Sequence, residues 1–305
     1  MGDAPVQLVI FNLRIAREDC RMKFFKKFAA PALALALSAL VALPAYAETG
    51  LTRLLPQSVR DAGVLRVVAA ESGPPMLFLG KDVRTIEGME ADLTRAVVEA
   101  LGVKLEYTMG TFDSLIPSIT AGRADLAVGS IGDLKSRQPQ VDFVDYVKAG
   151  VGMATLKGNA NGITNLASLC GKRVAVVRGT FQEKELNAQQ VKCQTAGKPL
   201  EVQTFADPNG AVLALRSDRA DVWSGDSAAV GYDVSQAPST LQLAGEMHPI
   251  ALLGYAVSKQ NIQLRDAIKA GLEAVQKSGK YKEILDKWGQ GATMVDKFTI
   301  NDAWL

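Results

Sequence analysis

The 305-residue sequence has one histidine, three cysteines and few aromatic residues, 6% of the chain. A single histidine argues against zinc sites assembled from imidazoles and thiolates, and it leaves His248 as the sole imidazole base for a nucleophilic triad. The charge is nearly balanced, 34 Lys and Arg against 32 Asp and Glu for a formal net of +2. So small an excess gives no basis for binding nucleic acid or an anionic membrane. The apolar share of 48% and charged share of 22% are ordinary for a globular protein. They exclude a collagen-like chain, a disulfide-dense miniprotein and wholesale disorder. The length corresponds to roughly two domains and supports a full core without covalent staples.

One long uncharged apolar run is present, residues 28–43, with Lys23, Lys26 and Lys27 before it and Ala45-Tyr46-Ala47 after it. Basic, then apolar, then small-x-small is the order of a cleavable secretory signal, here 22–47, with Glu48 as the new first residue. A buried core helix and an uncleaved anchor are the other readings, since the run approaches the ~20 residues that span a bilayer. Its alanine content, Pro31 and the cleavage pattern favour removal. Residues 1–21 sit in front of a methionine suited to open the signal, so Met22 is the expected start. Residues 1–47 hold six of the basic and three of the acidic side chains, which leaves 28 against 29 over the 258 residues of 48–305, a net of −1. Cys20 also lies in that segment. The remaining pair, Cys170 and Cys193, fits a disulfide in an exported protein, with two buried free thiols as the alternative. No cysteine follows the apolar run, so no lipid anchor is expected.

Beyond the signal, strand-like and helix-like patterns alternate. Residues 65–70 form a short apolar run, a buried strand. Leu93, Ala96, Val97, Ala100 and Leu101 trace one face of a helix over 90–101, which Gly102 can end in a left-handed conformation. Residues 103–109 alternate as a half-buried strand, 114–121 read as a helix and 125–128 as a strand. The second half repeats the plan with strands at 173–177, 201–205 and 221–223 and a helix over 180–190. Asp207-Pro208 is an N-cap followed by proline at the first helical position, opening a helix to about Arg216. Residues 262–277 are amphipathic, Gly279 breaks them, and Tyr281, Ile284, Leu285 and Trp288 resume the helical spacing. Gly122-Arg123-Ala124-Asp125 is echoed by Asp218-Arg219-Ala220-Asp221, 96 residues later and in the same strand-helix-strand context. Two similar α/β lobes would produce that echo. Such sheets bind ligands beyond the carboxyl ends of their strands.

Several segments, in order, resemble the amino-acid-binding periplasmic proteins of ABC transporters, solute-binding protein family 3. They are Gly88-Met89-Glu90-Ala91-Asp92-Leu93, Phe112-Asp113-Ser114-Leu115-Ile116-Pro117-Ser118-Ile119, Gly122-Arg123-Ala124-Asp125, Lys135-Ser136-Arg137, Val141-Asp142-Phe143, Gly171-Lys172-Arg173-Val174-Ala175-Val176 and Gly179-Thr180. Each is weak alone; their order and spacing carry the resemblance, which spans about 63–289. It implies an α/β protein of the periplasmic-binding-protein type II fold, two lobes joined by a two-strand hinge. Lobe 1 would be 48–148 and 250–305, lobe 2 would be 149–249, with crossings near 148–150 and 244–249. The segment Leu169-Cys170-Gly171-Lys172 with Cys193 is similar to a subset of relatives with a disulfide in lobe 2.

A free α-amino acid presents a carboxylate, an ammonium and a side chain. Arg137 offers a planar, permanently charged fork for the carboxylate. The turn at Gly179-Thr180 can add backbone N–H groups at a helix start. The resemblance implies Asp226 as the ammonium's partner. Each has a plainer reading: Arg137 as a solvated helix residue, Asp226 and Thr180 as helix caps. The resemblance further implies ligand contacts at Ser130, Gly132, Phe112, Phe181 and Gln182, and at Glu71 for polar or basic side chains; as plainer roles, Ser130 is a turn residue, Phe112 core. Trp223 is read as core. Met89, Ala91, Gly129, Gly132, Phe181 and Gly73-Pro74-Pro75-Met76 depart from the usual pattern, which alters the side-chain pocket and leaves the amino-acid clamp.

The expected function is capture of an α-amino acid with a polar side chain in the periplasm and its delivery to an ABC permease, by a monomer without cofactor, metal, nucleic acid or catalysis. The alternatives are an enzyme on the same scaffold, similar to the cyclohexadienyl dehydratases, which would need Glu71 or Asp226 as acid or base, and a ligand-sensing domain.

Overall fold

The computed structural model describes residues 50–158, 162–245 and 248–304. The expected signal, its cleavage after Ala47 and the start at Met22 lie outside the described residues. In chain order the elements are α1 (Gln57–Ala62), β1 (Val64–Ala70), β2 (Phe78–Leu79), β3 (Ile86–Glu87), α2 (Met89–Leu101), β4 (Lys104–Gly110), α3 (Leu115–Thr120), β5 (Leu126–Val128) and β6 (Val141–Leu156). There follow β7 (Arg173–Val177), α4 (Phe181–Thr195), β8 (Glu201–Phe205), α5 (Pro208–Arg216), β9 (Val222–Asp226), α6 (Ser227–Gln236), β10 (Leu241–Leu243), β11 (His248–Ser258), α7 (Ile262–Lys277) and α8 (Lys280–Lys287).

Local chemistry explains most boundaries. Gly102 takes φ +72° and closes α2, a conformation that costs a side-chain-bearing residue about 1–2 kcal/mol. Asp207 accepts the Gly210 N–H and Pro208 occupies the first turn of α5. Leu264, Ile268, Leu272 and Val275 form the buried face of α7, and they pack with Leu93, Val97 and Leu101 of α2 in one apolar cluster. Two expectations fall short. The helix expected to end at 190 runs to Thr195, and the strand expected at 221–223 continues to Asp226. In the first case the helix carries few apolar residues, and its buried face, Leu186, Gln189 and Cys193, extends past the point where periodicity fades.

The strands lie in the order β4-β1-β5-β11-β6-β9-β7-β8, with β10 on β6. The sequence is the same at both ends read inward: two parallel strands, then the one that follows the Arg-Ala-Asp echo. That echo is one repeated clamp. Asp125 accepts from the Arg66 guanidinium and backbone N–H at 2.7–3.1 Å. Asp221 does the same for Arg173 at 2.7–3.4 Å. Each ties the first long strand of its lobe to the start of the strand beside it in the sheet, β5 next to β1 and β9 next to β7. One lobe has its core between α2, α7 and the sheet, with a second cluster under α3. The other has clusters under α5 and α6 and under α4. Cys170 and Cys193 form a disulfide in the latter, Cα atoms 5.1 Å apart.

The two α/β lobes are joined by β6 and β11, which pair antiparallel from Val141–Ser258 to Val151–His248. Along this pairing Ala149 lies opposite Ala251 and Gly150 opposite Pro249. The C-terminal segment is laid along β6. Val147 and Val144 bridge to Met294 and Ile300, and Asp145 accepts from the Thr299 hydroxyl and the Asp302 N–H.

Candidate ligand-binding site

The ends of β1, β5, β7 and β9 converge on one cavity between the lobes. It encloses about 740 Å³ of space, part of it open to solvent, the size class of small-molecule sites and far too little for a polymer. Glu71, Phe112, Ser130, Gly132, Arg137, Thr180, Phe181, Gln182 and Asp226 all line it. Thus every residue singled out in the sequence as a ligand contact is brought to the same place.

Arg137 donates to the Gly132 carbonyl and, across the cleft, to the Gly179 carbonyl, both at 2.9 Å. Its guanidinium lies 5.3 Å from the centre of the Phe112 ring, a cation–π contact. Two of its N–H groups are thereby occupied and the fork is held flat; the others remain for a carboxylate. Burial lowers Arg137 to about 10, opposed by the charge of Asp133, and it stays cationic at neutral pH. Thr180 caps α4: its hydroxyl donates to the Val177 carbonyl at 2.7 Å and accepts the Glu183 N–H at 3.3 Å. The first N–H groups of α4 have no acceptor inside the helix and carry the positive end of its dipole.

Asp226 ends β9 and caps α6, accepting the Ala228 N–H at 2.9 Å. The cap reading is therefore correct as geometry, and it leaves one carboxylate oxygen over. Burial pushes Asp226 up to about 6, against the hydrogen bonds from Ala228 and Ala229. Among the described residues it has no cationic partner, and Arg137 has no carboxylate bonded to it. An unpaired cation and an unpaired anion thus line the same cavity, which is the charge pattern of a zwitterion.

The rest of the lining is mixed. Glu71 uses Oε1 to accept the Leu79 N–H at 2.9 Å, leaving Oε2 for another donor. Ser130 has φ +54° and its hydroxyl meets that of Ser72 at 3.0 Å. Trp223 is 1% exposed and packs with Ala211, Leu215 and Val230, as expected of core, while its edge also borders the cavity. Sequence reasoning missed Ser72, Leu134, Pro208 and Ser224. Ser72 had a signal, being next to Glu71 at the end of β1; the others had none. Behind Arg137, Asp133 and Asp145 are both buried and pushed up by that burial, and the charge of Asp133 adds to the rise of Asp145, to about 7. Among the described residues no cluster of three or more His, Cys, Asp or Glu could hold a metal, and no helix is long and apolar enough to cross a membrane.

A two-lobed α/β frame with a charged cleft at its hinge defines a solute-binding protein of the type II architecture. The chain belongs to the bacterial extracellular solute-binding proteins, family 3, whose model matches residues 65–291. It is 28% identical to the arginine-binding protein of Corynebacterium glutamicum over 251 residues, 82% of each chain. It is 27% identical to the L-cystine-binding protein of Escherichia coli over 259 residues, 84% of this chain and 92% of the relative. Among solved structures it is similar to an ancestral arginine-binding protein bound to arginine, with a TM-score of 0.70, 31% identity, and coverage of 74% of this chain and 98% of the other. The family's description and these names are those of binding proteins.

Proposed function

We propose that the protein captures a free α-amino acid with a polar side chain in the periplasm and presents it to an ABC-transporter permease. The observation that carries this is the pair of unmatched charges, Arg137 and Asp226, in one cavity at the hinge. In this reading the α-carboxylate takes the remaining Arg137 donors and the N–H groups opening α4, and the ammonium takes the free oxygen of Asp226. Phe112 and Phe181 flank the side chain, with Glu71 and Gln182 as its polar partners. A carboxylate among apolar walls favours a side chain that donates hydrogen bonds, and the arginine named for two relatives supports this. Residues 48–148 and 250–305 are assigned to lobe 1 and 149–249 to lobe 2, with export by the signal over 22–47 and a monomer as the working unit.

The test is a thermal-shift screen of the purified processed protein against the proteinogenic L-amino acids, followed by calorimetry. A ligand at 100 times its Kd stabilises by about 2.7 kcal/mol. Arg137→Ala is expected to abolish the shift while the ligand-free melting temperature stays near that of the wild type. No shift with any amino acid, or undiminished affinity in Arg137→Ala, overturns the reading.

A further inference from the structure

Glu90 opens the helix that follows β3, is 0% exposed, and was assigned no role by the sequence. Its carboxylate accepts the Gly129 N–H at 3.0 Å, the Ser130 N–H at 2.8 Å and the Tyr146 hydroxyl at 2.7 Å. No cation is among its partners. The two consecutive amides curl around one anion, the arrangement of a backbone nest whose occupant is a side chain. Gly129 has φ +140°, and a Cβ there would lie 2.8 Å from the Ala70 carbonyl oxygen; Ser130 has φ +54°. A serine in that region is strained and persists only where its surroundings over-determine it. Glu90 is what over-determines it.

The consequence reaches the cleft. In a planar trans peptide the carbonyl points opposite to the N–H. With the Ser130 N–H fixed on Glu90, the Gly129 carbonyl is turned the other way, and both residues line the cavity. The same grip sets the Ser130 hydroxyl against Ser72. Asp226 lines the same cavity as this turn, and its charge bears on Glu90. Tyr146, the third donor, stacks on Tyr255 at 4.5 Å and so connects the same carboxylate to both hinge strands.

We infer that Glu90 is a positioning residue for the ammonium end of the ligand, acting through the Gly129–Ser130 turn. This rests on the amino-acid reading of the site. Glu90→Gln is the informative change. A carboxamide has one oxygen and one NH2, so either orientation sets an NH2 against a backbone N–H that had an acceptor. The probes are the proteinogenic L-amino acid that binds the wild type most tightly and the α-hydroxy acid of the same side chain, up to millimolar concentration. The variant is expected to bind the amino acid about tenfold or more weakly and the hydroxy acid within about threefold of wild type, because the latter has no ammonium to misplace. Equal losses for both probes, or no loss, overturn the inference. A wild type that binds no amino acid overturns the functional reading, and this inference with it. If Glu90→Gln does not fold, Tyr146→Phe removes one donor from the same carboxylate, and a smaller loss with the same split between probes is expected; an even loss overturns the inference.

Discussion

Asp226 combines two duties that pull its proton in opposite directions. As a buried cap with no cation beside it, its carboxyl is raised to about 6. A carboxyl raised on folding stabilises the ligand-free protein at low pH, and that contribution is lost as the pH rises through about 6. Ligand binding needs the other form, because a neutral carboxyl cannot pair with an ammonium. Amino-acid affinity is therefore expected to be level above pH 7 and to weaken by about tenfold between pH 7 and 5, with proton release on binding measurable by calorimetry in buffers of different ionisation heat. Arg137 offers a second reading at this scale. Its fork is held by carbonyls from both sides of the cleft, a geometry that a lysine ammonium cannot reproduce. Arg137→Lys is expected to cost roughly 2–3 kcal/mol in affinity despite the retained charge, read by titration calorimetry. The family resemblance brought these two residues forward; their chemistry alone reads equally as a solvated helix residue and a helix cap. Glu90 was not brought forward as a site residue, because it acts through backbone amides that only the folded chain brings to it.

At the scale of elements, strong local chemistry was readable and long-range pairing was not. The α5 cap, the α7 stripe and the bounds of β7 and β8 follow from a few residues each. The 16-residue strand β6 does not. It is buried along most of its length, so apolar residues do not alternate, and Asp142 and Asp145 interrupt the run. Asp142 is balanced by Lys259 and Arg265, while Asp145 is not. Burial and the adjacent Asp133 raise it to about 7, so its contribution to the fold is lost as the pH rises through that value. Asp145→Asn keeps an oxygen for Thr299 and Asp302 and removes the titration. Its melting temperature is expected to match wild type near pH 5 and to exceed it above pH 8. Helix α4 was under-read for a related reason, since its last turn is tied to Cys170 by a bridge across 23 residues. Replacing both cysteines by serine is expected to cost about 3 kcal/mol, measured by denaturant unfolding, with lobe-2 protection in hydrogen exchange reduced more than lobe-1 protection.

For the whole molecule the decisive surface is the one where the lobes meet. Gly179 of the second lobe abuts Asp113 of the first, and a Cβ on Gly179 would lie 3.0 Å from the Asp113 Cβ and 3.2 Å from its Cα. Arg178 approaches Asp113 to 3.9 Å beside it. The same Gly179 carbonyl receives Arg137, so contact between the lobes and grip on the ligand share one peptide. A methyl group at Gly179 would hold the lobes apart and draw that carbonyl away from the fork. Gly179 also has φ +79°, so alanine there adds backbone strain of about 1–2 kcal/mol that has nothing to do with closure. Gly197 provides the matched control, at φ +72° with nothing within 4 Å of its Cβ position. Both Gly179→Ala and Gly197→Ala are expected to lower the melting temperature to a similar degree. Only Gly179→Ala is expected to weaken amino-acid binding by about tenfold or more, the loss of one charge-assisted hydrogen bond. It alone should keep a larger radius of gyration in solution scattering when ligand is saturating. If the two variants bind equally well, closure does not pass through this contact.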